Sequence, residues 1–480
     1  MQLGGQRCRR ERDLPRGTGL KVPFLAWAQN KFVRDAATLQ IAGVLNQSSQ
    51  LVSAMALAFL LGAHGQGTFI SAIALQALGF FLINVGVPQA TASQISAAAA
   101  RGNEFKTCGW IAFLAKTMLV FGVGFLVLGF CAFPRLGEWL YDDRQIGIWA
   151  SWLCVQPLIE LPRIVVGVSF QGTRRMLPLA QLENAQELVR FFLVIMGAML
   201  TGSPAGAVLG SLLAGFFGSA IALALYHRAR HDGGYALPGL GEIRRHMLDI
   251  KIRQGIRQGL RVALLKNGQS LFGNVFPRLI IGVIAGQTWV TYFHLAHRIM
   301  GVPQMLAHGV SRTMLPALGE LAGKKDVLAF RRLFKRVTLV TGGLISCAVL
   351  VSLPLIQPVV GALFPPDYAA PVFHYAWILA IGYVPFWFAV AIESFYIVSN
   401  QIKSWLVLTA IGAAITIPAN VWLILNIPET GTAWGLSLYQ SWVLVHLAYI
   451  TYFFHSTKSQ ESLWGADKDA QKPLLEEGVS

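Results

Sequence analysis

Apolar stretches long enough to cross a bilayer recur along this chain, and the Lys and Arg between them fall almost wholly in alternate connections. A helix needs about 20 consecutive, mostly apolar residues to cross the hydrocarbon core. Such stretches lie at 36–62, 66–92, 107–132, 145–170, 177–200 and 204–227. A second set lies at 262–286, 288–314, 335–357, 370–397, 402–425 and 430–454. Twelve spans are therefore predicted. Of the 39 Lys and Arg, 30 sit before the first span, in or at the edges of the even-numbered connections (Lys335, Arg336 and Lys403 at the edges) or in the tail, and only Arg135 and Arg144 in the odd-numbered ones. Cytoplasmic loops are the ones enriched in Lys and Arg, so both termini are expected in the cytoplasm. The expected class is an all-α, multi-pass protein of the cytoplasmic (inner) membrane.

Composition agrees. The chain of 480 residues is 54% hydrophobic and 13% charged, where a soluble chain carries about 25% charged residues. Its net charge of +16 belongs to residues that face anionic headgroups. Nucleic acid is excluded as a partner, and membrane lipids are expected instead. Arg9 and Arg10 are not followed by a cleavable apolar core, so no removable signal peptide is expected.

Five domains of sequence follow: a basic N-terminal segment (1–35), six spans (36–227), a basic linker (228–261), six more spans (262–455) and a polar tail (456–480). From Ile243 to Arg261 the linker mixes bases with Met247, Leu248, Ile250 and Ile252, which suits a helix lying on the membrane surface or a solvated connection. Gly62 and Gly67 in the first hairpin sit as Gly286 and Thr291 do in the seventh, a faint sign of internal duplication.

Catalysis has little room. The odd-numbered connections are short, no phosphate-binding G-x-x-x-x-G-K-[ST] occurs, and no H-E-x-x-H is present. The five cysteines are scattered without a C-x-x-C pair. Transport without chemistry is the expectation: no enzyme, no metal and no cofactor beyond H⁺ or Na⁺ as a coupling ion.

Charges at membrane depth cost about 2.5–3.5 kcal/mol unless they face a cavity or a partner. Span 8 places His294, Arg298, Gly301, Met305, His308 and Arg312 on one helical stripe, and span 7 does the same with Asn267, Ser270, Asn274 and Arg278. Arg278 and Arg298 lie about 12–16 Å below the turn near Gly286. Two cations at one depth suit a doubly charged anion such as a diphosphate; alternatively each caps carbonyls or pairs with an acid. His294 and His297 lack a third metal ligand.

Spans 4 and 5 carry a second group. Gln156, Glu160, Arg163 and Gly167 form one stripe, and Glu183, Glu187 and Arg190 another. These are either internal salt bridges or a polar vestibule in which Glu160, Glu183 or Glu187 couples to an ion and Arg163 touches substrate. Span 1 presents the uncharged Asn46, Gln50 and Ser53 on one face, and Trp377, Tyr383 and Trp387 of span 10 read as packing or interfacial aromatics.

The stretch Phe59-Leu60-Leu61-Gly62-Ala63-His64-Gly65-Gln66-Gly67-Thr68-Phe69, the later Asn84-Val85-Gly86-Val87-Pro88-Gln89-Ala90, and Gly286, Tyr292, Ala296, Pro303 and Pro316 resemble a family pattern. It is that of the polysaccharide-transport flippases in the multidrug/oligosaccharidyl-lipid/polysaccharide exporter superfamily. The resemblance covers about residues 35–455 and implies two six-helix bundles around a central cavity that opens alternately to each side. It further implies translocation of an undecaprenyl-diphosphate-linked oligosaccharide to the outer leaflet, in company with other glycan-assembly membrane proteins. Family members often carry an acid near the end of span 7, where this chain has Arg278. The competing readings are an organic-cation antiporter of the same superfamily, a lipid II flippase, and a non-transporting component of glycan assembly. The substrate-binding candidates are Arg278, Arg298, His294, Arg312, Asn274 and Arg163.

Overall fold

Gly62 sets the path of the first two spans. Helix α1 (Lys31–Ile83) runs through both and is interrupted only at Gly62, with φ 68° and ψ 175°. That backbone conformation strains any residue with a Cβ. Gly286, with φ 91° and ψ 171°, makes the same break between α10 (Phe276–Ile284) and α11 (Gln287–Gly301). The faint likeness of the two hairpins in sequence thus has a backbone counterpart.

The computed structural model describes residues 31–83, 87–173, 175–230, 237–250, 275–304, 326–399 and 401–455, with isolated positions between 307 and 322. The side chains of 31–42 and of several residues in 81–100 stand outside that description, as do the tail beyond 455 and the linker beyond 250. Every described element is helical, and helix occupies each of the twelve predicted stretches.

After α1 come α2 (Val87–Ala100) and α3 (Glu104–Tyr141), the latter capped by the Asn103 side chain, which accepts from the Lys106 amide at 2.9 Å. At 38 residues, α3 is about 57 Å long and outruns a hydrocarbon core of about 30 Å. Arg135 accordingly lies inside α3, not in a connection as predicted; the loop is only Asp142 and Asp143. The lipid-facing character of α3 is direct: Leu119, Val120, Val123, Val127, Leu128 and Phe130 are all exposed, a band too large for a soluble surface.

Span 4 departs from expectation. It consists of α4 (Arg144–Leu153), α5 (Gln156–Ile159) and α6 (Leu161–Gly172), with a 46° bend at Glu160. Pro157 and Pro162 each remove a backbone donor from the ladder there. The predicted continuous stripe from Gln156 to Gly167 is therefore broken.

Helices α7 (Met176–Thr201) and α8 (Pro204–Ala229) lead to the linker helix α9 (Leu240–Asp249). Ile243 is buried against the base of α3, and Lys116 Nζ donates to the carbonyls of Leu248 (3.2 Å) and Ile250 (2.8 Å). Arg244, Arg245 and Leu248 face outward. Beyond α11 follow α12 (Val327–Leu363), α13 (Pro366–Phe386), α14 (Ile392–Val398), α15 (Ile402–Asn426), α16 (Gly431–Ser441) and α17 (Val443–His455).

Among the described residues, six helical segments are alone long and apolar enough to span a membrane, and the bent α4–α6 run makes a seventh. Two of the other predicted spans fall short for visible reasons: α7 carries Glu183, Glu187 and Arg190, and span 12 is split at Trp442. Spans 7 and 8 extend beyond the described residues.

Helices before and after the linker meet near the two glycine breaks. Ala54, Ala58 and Ile70 of α1 pack in one cluster with Val290, Phe293 and Tyr375. Gly67 makes the closest approach: a Cβ there would sit 1.8 Å from the Gln287 carbonyl oxygen. Around it the Thr291 hydroxyl donates to the Ala63 carbonyl (2.6 Å), and the Ser71 hydroxyl donates to Gln287 Oε1 (2.5 Å).

Candidate functional site

Beneath that contact lies a cavity of about 170 Å³, bounded by both arms of α1, by α7 and α8, and by α10 and α11. Its polar lining comes from Gln50, Ser53, Gln66, Glu187, Arg190, Ser211, Arg278, His294 and Arg298. Residue counts place four of these groups at similar depth. Arg278 and His294 are each eight residues from Gly286, and Arg298 and Gln50 are each twelve from their glycine break. At 1.5 Å per residue this is about 12–18 Å below the turns, a distance comparable to half of a bilayer core about 30 Å thick.

Each side chain arrives for a local reason. Pro277 at the start of α10 and Gly286 at its end fix a short helix whose register turns Arg278 inward. On α11, His294 and Arg298 share a face four residues apart. His294 is 7% exposed. Gln66 bridges the break in α1 by donating to the Ala54 carbonyl at 2.7 Å.

Charge is not balanced in this cavity. Arg190 is held by Glu187 on the same helix through two contacts of 2.6 and 2.7 Å. Arg298 Nη1 donates to Gln50 Oε1, a neutral acceptor on α1. Arg278 makes no hydrogen bond among the described residues, and its Nε, Arg298 Nε and His294 Nδ1 are buried without a partner. Among the described residues, three guanidiniums face one carboxylate, leaving the lining two charges positive. Glu187 and Arg190 lie within electrostatic reach of Arg298, and Tyr383 within reach of both second-half arginines. Tyr383 itself stacks on Trp387 at 5.7 Å, and both are buried, so these aromatics are packing residues.

Of the sequence candidates, Arg278, Arg298, His294 and Glu187 come together here. Glu160 and Arg163 do not: they pair with each other at the span 4 bend, where Gln156 Nε2 also donates to Glu160 Oε1 at 2.8 Å. Glu183 lies outside the lining, and Asn274 and Arg312 lie outside the described residues. Gln66, Arg190 and Ser211 line the cavity without having been singled out as ligands. For Arg190 a signal existed, since it stands three residues after Glu187. No group of three His, Cys, Asp or Glu side chains gathers as a metal site among the described residues.

The fold is that of a membrane transporter. A eukaryotic MATE transporter, AtDTX14, superposes with a TM-score of 0.63 at 14% identity, covering 91% of this chain and 99% of that one. A MOP superfamily transporter from Pyrococcus furiosus, described as having a binding pocket of reverse polarity, gives 0.62 at 14% identity over 90% and 98% of the two chains. The chain belongs to the family described as Polysaccharide biosynthesis protein, which matches residues 32–322. It is also 26% identical over 342 residues to Stage V sporulation protein B of Bacillus subtilis (strain 168), over 66% of this chain. That match spans 64% of the relative, under two thirds of its length.

Proposed function

We propose that the protein is a flippase that moves an undecaprenyl-diphosphate-linked oligosaccharide across the cytoplasmic membrane by alternating access, for surface polysaccharide synthesis. The observation that carries this reading is the pair Arg278 and Arg298, which no carboxylate of their own helices neutralises, at mid-membrane depth beside His294. Burying two such cations costs several kcal/mol, a cost that a bound dianion offsets by charge-assisted hydrogen bonds.

The Lys and Arg bias orients both termini to the cytoplasm, with the glycine breaks facing outward. On that orientation the tight contact at Gly67 and Gln287 closes the outer side. The segments 36–227 and 262–455 then act as two bundles that rock about the cavity. The substrate and membrane lipids are the partners, together with other glycan-assembly proteins. Of the acids considered for H⁺ or Na⁺ coupling, Glu187 is the one in the lining. Substrate contacts for Asn274, Arg312 and Arg163 remain part of the same proposal.

An organic-cation antiporter needs an available carboxylate in its cavity; here Glu187 is bound to Arg190 and outnumbered by arginine.

The test is the double substitution Arg278→Ala and Arg298→Ala, scored by surface glycan display at matched protein levels. Loss of display with lipid-linked precursor accumulating supports the reading. Unchanged display overturns it.

A further inference from the structure

Among the described residues, the Glu187 carboxylate is the single negative charge in a lining otherwise built to receive one. It is 8% exposed and grips Arg190 with both oxygens, at 2.6 and 2.7 Å. It also lies within electrostatic reach of Arg298. Glu187 and Arg190 stand on α7, before the linker, whereas Arg278 and Arg298 stand on α10 and α11, after it.

Compare the acceptors that the three arginines have. Arg190 has a carboxylate, Arg298 has a neutral amide oxygen, and Arg278 has none among the described residues. A phosphoryl group entering the cavity meets two guanidiniums that nothing ionic holds and a third that is already occupied. We infer that Glu187 is a built-in competing anion: it occupies Arg190 and repels the incoming diphosphate, which holds affinity low enough for release. The inference rests on the diphosphate-site reading and adds a release element to it.

The physical need is plain. A carrier with three free guanidiniums around a dianion binds it too tightly to let go, because charge-assisted hydrogen bonds are strong where water is excluded. Productive transport requires binding that is favourable but reversible. Because the competitor and the two freer arginines ride on helices from opposite sides of the linker, their separation changes when those helices move. Glu187 therefore weakens the hold of the site in the arrangement that brings α7 toward α11.

Binding of inorganic pyrophosphate to the detergent-solubilised full chain tests this. Wild type is compared with Glu187→Gln, Arg190→Gln and the Arg278→Ala/Arg298→Ala pair. Glu187→Gln is expected to bind pyrophosphate about tenfold tighter or more, the scale of one charge-assisted hydrogen bond, while surface glycan display falls because substrate is retained. Arg190→Gln, which leaves the carboxylate without its partner, is expected to bind more weakly than wild type. Should Glu187→Gln not insert, Arg190→Gln decides alone, and unchanged or tighter binding there overturns the inference. If the arginine pair abolishes binding while Glu187→Gln leaves it unchanged or weaker, the competing-anion role is wrong and the diphosphate site stands. If wild type and the arginine pair bind alike, or neither binds, both ideas fall.

Discussion

Arg298 reaches across from α11 to hydrogen-bond Gln50 on α1, and the two residues stand twelve positions beyond and before their respective glycine breaks. The contact therefore joins the two sides of the cavity at one depth, and it does so through a neutral acceptor. Replacing Gln50 by Glu would put a carboxylate against Arg298 with little change in shape. The resulting ion pair would cancel half of the surplus positive charge. Gln50→Glu is expected to weaken pyrophosphate binding about tenfold or more and to reduce glycan display. Gln50→Leu, which removes the acceptor without adding charge, is expected to do less. Equal effects of the two would show that the tether, not the charge, matters.

The approach of Gly67 to Gln287 leaves no room for a Cβ, which would lie 1.8 Å from a backbone oxygen. Backbone cannot give way as a flexible side chain can, and forced overpacking costs about 1–3 kcal/mol or more. Gly67→Leu is therefore expected to hold the turns apart. A cysteine placed at Ser53, in the cavity wall, would then react faster with a membrane-impermeant thiol reagent added outside. Unaltered labelling would mean that the turns are not the outer closure.

Much of the architecture was legible because lipid imposes strong rules. A backbone buried in hydrocarbon must satisfy its own hydrogen bonds, so long apolar runs had to be helices, and helix is found in all twelve. That Arg278, Arg298 and His294 would lie near one another was legible because depth can be counted from Gly286. The bend at Glu160 was not. Pro162 announces a break, yet whether a proline kinks a helix or merely weakens it depends on neighbouring packing. The pairing of Glu187 with Arg190 and of Glu160 with Arg163 was open for a related reason. Spacing of three residues permits both a salt bridge and a shared face toward a ligand. Only the placement of α7 against α1 and α11 separates the pair that lines the cavity from the one that does not.

The linker offers a separate test. Lys116 caps the carbonyls of Leu248 and Ile250, the last of these just past the end of α9, and so ties that helix to α3. Hydrogen bonds from a charged donor contribute about 1.5–3 kcal/mol. Lys116→Ala is expected to loosen α9 and speed tryptic cleavage after the exposed Arg244 and Arg245, with the remaining helices uncut. An unchanged digestion rate would show that Ile243 and the bonds from Tyr226 to Pro238 and from Arg230 to Leu237 suffice to dock it.

Alternating access can be caught directly at the glycine breaks. The Thr291 hydroxyl lies 2.6 Å from the Ala63 carbonyl, so these two residues touch across the outer contact. Cysteines at both positions, in a chain whose natural Cys8, Cys108, Cys131, Cys154 and Cys347 are replaced by Ala or Ser, should be close enough to join by a disulfide. If the turns must part to release substrate, oxidation is expected to stop glycan display and a reductant to restore it. Each single cysteine is expected to be insensitive to both reagents. Continued display with the crosslink fully formed would mean that substrate leaves by a route that does not open this end, sideways between helices.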